Sequence, residues 1–215
     1  MKTLQYSAVI FDLDGVIVDS MSHHRDAWVQ THNDFGIPFI EEMYDTIEGM
    51  GTEQIVHTLF GAETTSTIEK IVEQKKKTFR ESFKNNPLVV LGAQQFIEYL
   101  LKKEVPIAIA TATPKHDMEM VRDTFDWIDA IQTIVLGEEV AHNKPAPDVY
   151  LEAARRLSIN PTTAIVFEDS IPGIQAGKAA GMTVIGVATT HDANDLHMAD
   201  FIISNFGDDI LRQLF

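Results

Sequence analysis

Asp12 and Asp14 stand one residue apart, followed by Gly15, directly after the short apolar run Ala8 to Phe11. Two carboxylates this close repel when both are ionised. They need a shared proton, a buried cation or a bound metal. With oxygen donors and no cysteine in the chain, the metal that such a cluster selects is Mg²⁺. A bare Asp-x-Asp is also the composition of an ordinary polar turn after a strand, so the rest of the chain has to decide.

Three more groups of chemically useful residues follow apolar runs or lead into helices: Thr111-Ala112-Thr113, Lys144 ahead of Pro145-Ala146-Pro147-Asp148, and Glu168-Asp169. A β-branched or apolar run that stops at polar residues reads as a buried strand. Such runs fall at 8–11, 106–110, 131–136, 164–167, 183–187 and 201–203, with helix-period segments at 93–103, 147–157 and 171–180. Strands alternating with helices imply an α/β fold: a parallel sheet with helices on both faces. In such sheets ligands bind outside the carboxyl ends of the strands, where the acids, hydroxyls and lysine stand. Thr113 with Pro114 behind it reads as the N-cap of a helix, whose amino end also favours an anion. Glu168-Asp169 alone could equally be a capping acid pair ahead of Pro172.

From Ser20 to about Asn86 the rhythm breaks. The stretch holds no convincing strand but has amphipathic segments at 21–35, 41–48, 52–60 and 64–83, punctuated by Gly36, Gly51 and Gly61. The expected organisation is a core of residues 1–19 and 87–215, with an all-helical insert at 20–86 returning through the turn-forming Lys84-Asn85-Asn86-Pro87.

The 215 residues carry 45% hydrophobic side chains, enough for a sizeable core. With 17 basic against 32 acidic residues the formal charge is −15, which argues against nucleic acid as a partner. It leaves a small phosphate substrate open, since local cations and metal outweigh the global field. Zero cysteine excludes disulfides and fits a reducing compartment. Met1-Lys2-Thr3 leads straight into an apolar run too short for a signal peptide, and no run reaches the ~18 residues of a membrane span. A cytoplasmic protein that makes no membrane contact, a monomer or weak homodimer, is expected.

The string Asp12-Leu13-Asp14-Gly15-Val16-Ile17-Val18-Asp19-Ser20 resembles the opening motif of the haloacid dehalogenase superfamily, in its β-phosphoglucomutase-like phosphatase branch. Lys144-Pro145-Ala146-Pro147-Asp148 resembles the family's third motif, and the four motifs come in family order. The resemblance implies a Rossmann-like core with a helical cap inserted after the first strand. It implies Asp12 as nucleophile, forming an aspartyl-phosphate, and Asp14 as general acid and base. It gives Thr111 the phosphate, with Ala112, Thr113 and Lys115 beside it, and makes Lys144 the charge partner of the nucleophile. Asp12, Glu168, Asp169 and the Asp14 backbone carbonyl would hold Mg²⁺. Ala176 and the rest of 173–181 read as helix packing.

In the insert, Met21, His24, Trp28 and His32 share a helical stripe. His24 occupies the place where β-phosphoglucomutase has a histidine assisting the acid–base residue; its neighbour His23 is the alternative. The loop Glu48-Gly49-Met50-Gly51-Thr52 matches the cap loop where mutases of this branch carry an arginine for a second phosphate, and it has none. Glu48, Gly49 and Thr52 are the candidate specificity residues. Lys75, Lys76 and Lys77 read as the solvated side of a helix. The function expected is a Mg²⁺-dependent phosphohydrolase acting on a small phosphorylated metabolite, a sugar or polyol phosphate. The alternatives are a hexose-phosphate mutase, a pyrophosphatase, or a phosphate-binding regulatory protein on the same fold.

Overall fold

The computed structural model describes residues 6–40, 52–61 and 65–211. The chain divides into two compact units, Met1–Asp19 with Leu88–Phe215, and Ser20–Pro87.

The first unit is built on six parallel strands: β1 (Ala8–Phe11), β2 (Ile107–Thr111), β3 (Thr133–Leu136), β4 (Ala164–Glu168), β5 (Thr183–Val187) and β6 (Phe201–Ile203). Their order is β3-β2-β1-β4-β5-β6. The order therefore reverses at β1 and β4, and the crevice at their carboxyl ends is where such sheets bind ligands. Phe11 pairs with Phe167, and the Asp12 N–H donates to the Phe167 carbonyl at 3.0 Å. Asp12 and Glu168 thus leave the sheet at the same level.

β1, β2 and β4 are buried along their whole length, as continuous apolar runs in a parallel sheet should be. Alternate residues face opposite layers. Ile10, Ala108 and Val166 pack with Val149, Tyr150 and Ile174, which come from α6 (Asp148–Arg156) and α7 (Ile171–Ala179). On the other face, Phe11 stacks on Phe167 at 5.0 Å and meets the edge of Phe96, on α4 (Ala93–Lys102), at 6.3 Å. Aromatic pairs of this kind add about 0.5–1.5 kcal/mol beyond their buried area. They anchor the strand that carries Asp12. β3 starts at Thr133 rather than Ile131, because the Ile131 N–H closes the 3₁₀ turn Asp126–Ala130 on the Ile128 carbonyl.

The second unit is helical: α1 (Met21–Asp34), α2 (Thr52–Phe60) and α3 (Thr65–Asn85). Its core gathers Trp28, Val56 and Ile71, with Phe39, Phe60 and Val72 packed against them. α3 runs on through Lys84 and Asn85, with the Asn86 N–H still bonded to the Ser82 carbonyl, so the expected turn is confined to Asn86 and Pro87. No helix-breaking residue precedes Pro87, and the helix continues until it meets one. The expected segment at 41–48 lies outside the described residues. Among the described residues, no helix is long and apolar enough to cross a membrane.

Candidate active site

The carboxyl ends of β1 and β4 bring three buried acids together. Asp12, Glu168 and Asp169 are 7%, 0% and 4% exposed, and each offers a carboxylate oxygen within 4.8 Å of the others. Lys144 answers them from the segment before α6. Its Nζ donates to Asp12 Oδ1 at 2.7 Å and to Glu168 Oε1 at 2.6 Å, and it lies 5.0 Å over the Tyr150 ring. Burial works against the Lys144 charge, but the two carboxylates hold its ammonium well above the ordinary lysine range. Asp12 is pushed up to about 7 by burial; Lys144 pulls it down, while Glu168 and Asp14 push it further up. Asp169 is raised well above the usual carboxylate value by burial and by the charges of Glu168 and Asp12.

Three carboxylates face one ammonium, leaving two negative charges over. That is the charge of one divalent cation, and an all-oxygen donor set suits Mg²⁺. The residues therefore fit the ion. Asp14 is outside this side-chain cluster, so its expected share in the metal rests on its backbone carbonyl.

Glu168 is the most tightly held of the three. Tyr150 Oη donates to Oε1 at 3.0 Å, while the Ser170 N–H and Oγ donate to Oε2 at 2.7 and 2.9 Å. Gly173 makes room for it: a Cβ there would overlap the Glu168 carboxylate. The expectation that 173–181 is packing alone is thus corrected at its first residue. In the sequence Tyr150 is only an aromatic on a helix. Ser170, not the acid pair, caps α7, accepting from the Gly173 N–H at 3.1 Å.

The β2 end holds a second network. Thr113 does not cap the next helix, α5 (Lys115–Thr124), whose N-cap is Pro114 without a side-chain bond. Its hydroxyl is spent elsewhere, donating to Asp14 Oδ2 at 2.5 Å. Thr111 Oγ1 lies 2.8 Å from Thr113 Oγ1 and accepts the Thr113 N–H at 3.0 Å. A hydroxyl carries one proton, so Thr111 must donate to Thr113 for Thr113 to donate to Asp14. Ala112, exposed, lies between them. Lys115 opens α5 and lines a surface cavity of about 390 Å³ with Met118, Arg122 and Leu136.

In the helical unit, His23 turns inward, with Nδ1 2.8 Å from Ser82 Oγ and its ring edge-on to Phe83. His24 stays partly exposed, stacked on Phe79 at 4.0 Å, with Nδ1 2.7 Å from Lys75 Nζ. An ammonium only donates, so that bond puts the His24 ring proton on Nε2. Lys75 corrects the expectation of a solvated lysine face. It is buried, between the faces of Trp28 at 5.4 Å and Phe79 at 5.2 Å. The signal was present at i+4 spacing, since Ile71, Lys75, Phe79 and Phe83 form one buried stripe. Glu48 and Gly49 lie outside the described residues, as does the side chain of Thr52.

Residues 9–187 match the family described as haloacid dehalogenase-like hydrolase, and the chain belongs to it, on the β-phosphoglucomutase-like branch with that family's phosphatases. It is 32% identical over 194 residues to a phosphorylated carbohydrates phosphatase of Thermotoga maritima, covering 87% of each chain. It is 32% identical over 187 residues to a β-phosphoglucomutase of Bacillus subtilis, covering 84% of this chain and 82% of that one. Among solved structures it is similar to a family IA, variant 3 HAD hydrolase of Entamoeba histolytica, with a TM-score of 0.85, 26% identity and 97% of each chain covered.

Proposed function

We propose that this chain is a Mg²⁺-dependent phosphohydrolase that cleaves a small phosphate monoester, a sugar or polyol phosphate, through an aspartyl-phosphate on Asp12. The observation that carries the reading is the Asp12 carboxylate at the sheet's switch point, buried against Lys144 and flanked by Glu168 and Asp169. The relative from Thermotoga maritima, a phosphatase of phosphorylated carbohydrates, supports the substrate class. The lack of cysteine fits a cytoplasmic setting.

Bound Mg²⁺ would neutralise phosphoryl charge and relieve the repulsion among the three acids. Lys144 holds Asp12 Oδ1, which leaves Oδ2 to attack phosphorus. The new Asp12–phosphorus bond forms as the ester oxygen departs. Asp14, with Oδ2 held by Thr113, gives a proton to the departing alkoxide as general acid. The resulting carboxylate then takes a proton from the water that attacks the aspartyl-phosphate, which releases phosphate and restores Asp12.

A hexose-phosphate mutase is the second reading, supported by the relative from Bacillus subtilis. The loop Glu48-Gly49-Met50-Gly51-Thr52 offers no cation for a second phosphate, and this favours hydrolysis. The test is phosphate release from sugar phosphates, polyol phosphates, nucleotides, bisphosphates and pyrophosphate, with and without Mg²⁺, beside Asp12→Asn. Mg²⁺-dependent release from a monoester that Asp12→Asn abolishes supports the proposal. Conversion of a hexose phosphate to its isomer without release selects the mutase, and release from pyrophosphate alone overturns the monoester assignment.

A further inference from the structure

Beyond the carboxyl end of β5, three consecutive side chains reach back to the two acid-bearing loops. Thr189 Oγ1 donates to the Gly15 carbonyl at 2.5 Å, on the turn that follows Asp12 and Asp14. Thr190 Oγ1 donates to Asp169 Oδ2. His191 Nδ1 lies 2.9 Å from the Asp169 carbonyl, and a carbonyl only accepts, so that nitrogen carries the ring proton. Gly15 closes the arrangement. Its φ is +70°, and a Cβ there would overlap the Asp169 carboxylate and stand 2.8 Å from Thr190 Oγ1.

The three acids of the cluster are not held alike. Asp12 is fixed by Lys144, and Glu168 by Lys144, Tyr150 and Ser170 on both of its oxygens. No side-chain cation among the described residues is hydrogen-bonded to Asp169. Among the described residues, the hydrogen bond on its carboxylate comes from Thr190. A hydroxyl fixes the rotation of a carboxylate without bringing a charge that would compete with a metal. Mg²⁺ demands near-ideal octahedral geometry, so the orientation of a ligating carboxylate matters more for it than for a larger ion.

We infer that Thr190 is a positioning residue for the cation, setting the Asp169 carboxylate from the loop after β5 while Thr189 and His191 tie that loop to both acidic turns. The inference rests on the reading that Asp12, Glu168 and Asp169 hold Mg²⁺. Loss of a hydrogen-bonding partner behind a metal ligand costs about 10- to 100-fold in metal affinity. Thr190 itself is exposed, so its replacement leaves the buried core intact.

The experiment is calorimetric titration of Mg²⁺ into the full-length wild type, Asp169→Asn, Thr190→Val and Thr190→Ser. The expected result is binding to wild type, none to Asp169→Asn, at least about tenfold weaker binding to the near-isosteric Thr190→Val, and wild-type binding to Thr190→Ser, which keeps the hydroxyl. The Mg²⁺ concentration for half-maximal phosphate release should rise by the same factor in Thr190→Val, with the KM for the ester unmoved. Wild-type affinity in Thr190→Val, with binding still lost in Asp169→Asn, overturns the role of Thr190 and leaves the metal site standing. Equal weakening in Thr190→Ser and Thr190→Val overturns it too, by assigning the effect to loop shape. No binding by wild type overturns the metal reading and the inference with it.

Discussion

Thr113 Oγ1 donates a hydrogen bond to Asp14 Oδ2 at 2.5 Å and accepts one from Thr111 Oγ1, 2.8 Å behind it. The relation joins the β2 end to the turn after β1. It fixes Asp14 Oδ2 from the β2 end. Thr113→Val should lower kcat about tenfold, the size of one hydrogen bond to a charged acceptor at about 1.5 kcal/mol, with KM little changed. Thr113→Ser should retain the rate. Steady-state kinetics on the preferred ester decide it: a Val variant with wild-type kcat would dissolve the link between Thr113 and the acid–base residue.

Lys144 bonds two buried carboxylates at once. Removing it as Lys144→Ala leaves Asp12 and Glu168 without a counter-charge, and breaking a buried pair from one side costs about 3–5 kcal/mol. Chemical denaturation at pH 8 in EDTA should show a loss in that range, and added Mg²⁺ should recover part of it. Lys144 holds the Asp12 pKa down to about 7, and without it burial and the neighbouring acids push it higher. The deficit should therefore shrink as the pH falls towards 7 and the variant's Asp12 takes up a proton ahead of the wild type's. A deficit independent of both pH and Mg²⁺ would contradict this account.

Gly173 sits where a single methyl group would meet the Glu168 carboxylate. Gly173→Ala therefore displaces Glu168 from Tyr150, Ser170 and Lys144 together. Ordinarily alanine stabilises a helix by about 1 kcal/mol relative to glycine. Here the sign should reverse, with a lower Tm and a collapse of phosphate release. A variant that melts higher and stays active would show that the carboxylate has room to move.

Asp200 accepts from Lys178 Nζ at 2.6 Å and from the Val184 N–H at 2.8 Å. Burial works to raise its pKa, but these two donors outweigh it and hold the carboxyl below its ordinary value. The folded form then binds its proton less readily than the unfolded chain. The contribution to stability is full above the unfolded carboxylate value of about 4 and disappears as the pH falls through the folded one. The pair is about a third exposed, so the effect should stay under about 1 kcal/mol. Urea denaturation from pH 3 to 7 should find Asp200→Asn less stable than wild type at pH 6, with the difference closing as the pH falls towards 3. A constant difference across that range would remove Asp200 from the acid limb.

The strands were legible because their runs are short, apolar and rich in β-branched residues, and 8–11, 183–187 and 201–203 are read at their true ends. The same sequence hid what long-range hydrogen bonds decide. Thr113 has the composition and place of a helix cap, and only the approach of Asp14 turns its hydroxyl away. Lys75 hid within a run of three lysines; its i+4 partners Ile71, Phe79 and Phe83 outweighed its charge, and the faces of Trp28 and Phe79 receive the ammonium. Tyr150 and Thr190 carry no local pattern, because what makes each of them matter is a carboxylate from a different strand end.

The order β3-β2-β1-β4-β5-β6 also has a consequence for how the chain reaches this state. Of the six strands β1 is made before the others, yet it can pair only with β2 and β4, at Ile107–Ile109 and Ala164–Phe167, after the helical stretch has been made. Contacts so distant along the chain form slowly, because a long loop must close before they repay its entropy. During synthesis β1 is an apolar segment without a partner, exposed to the aggregation that threatens such strands. Its next residue, Asp12, doubles as a charged brake on that hazard until the sheet closes around it.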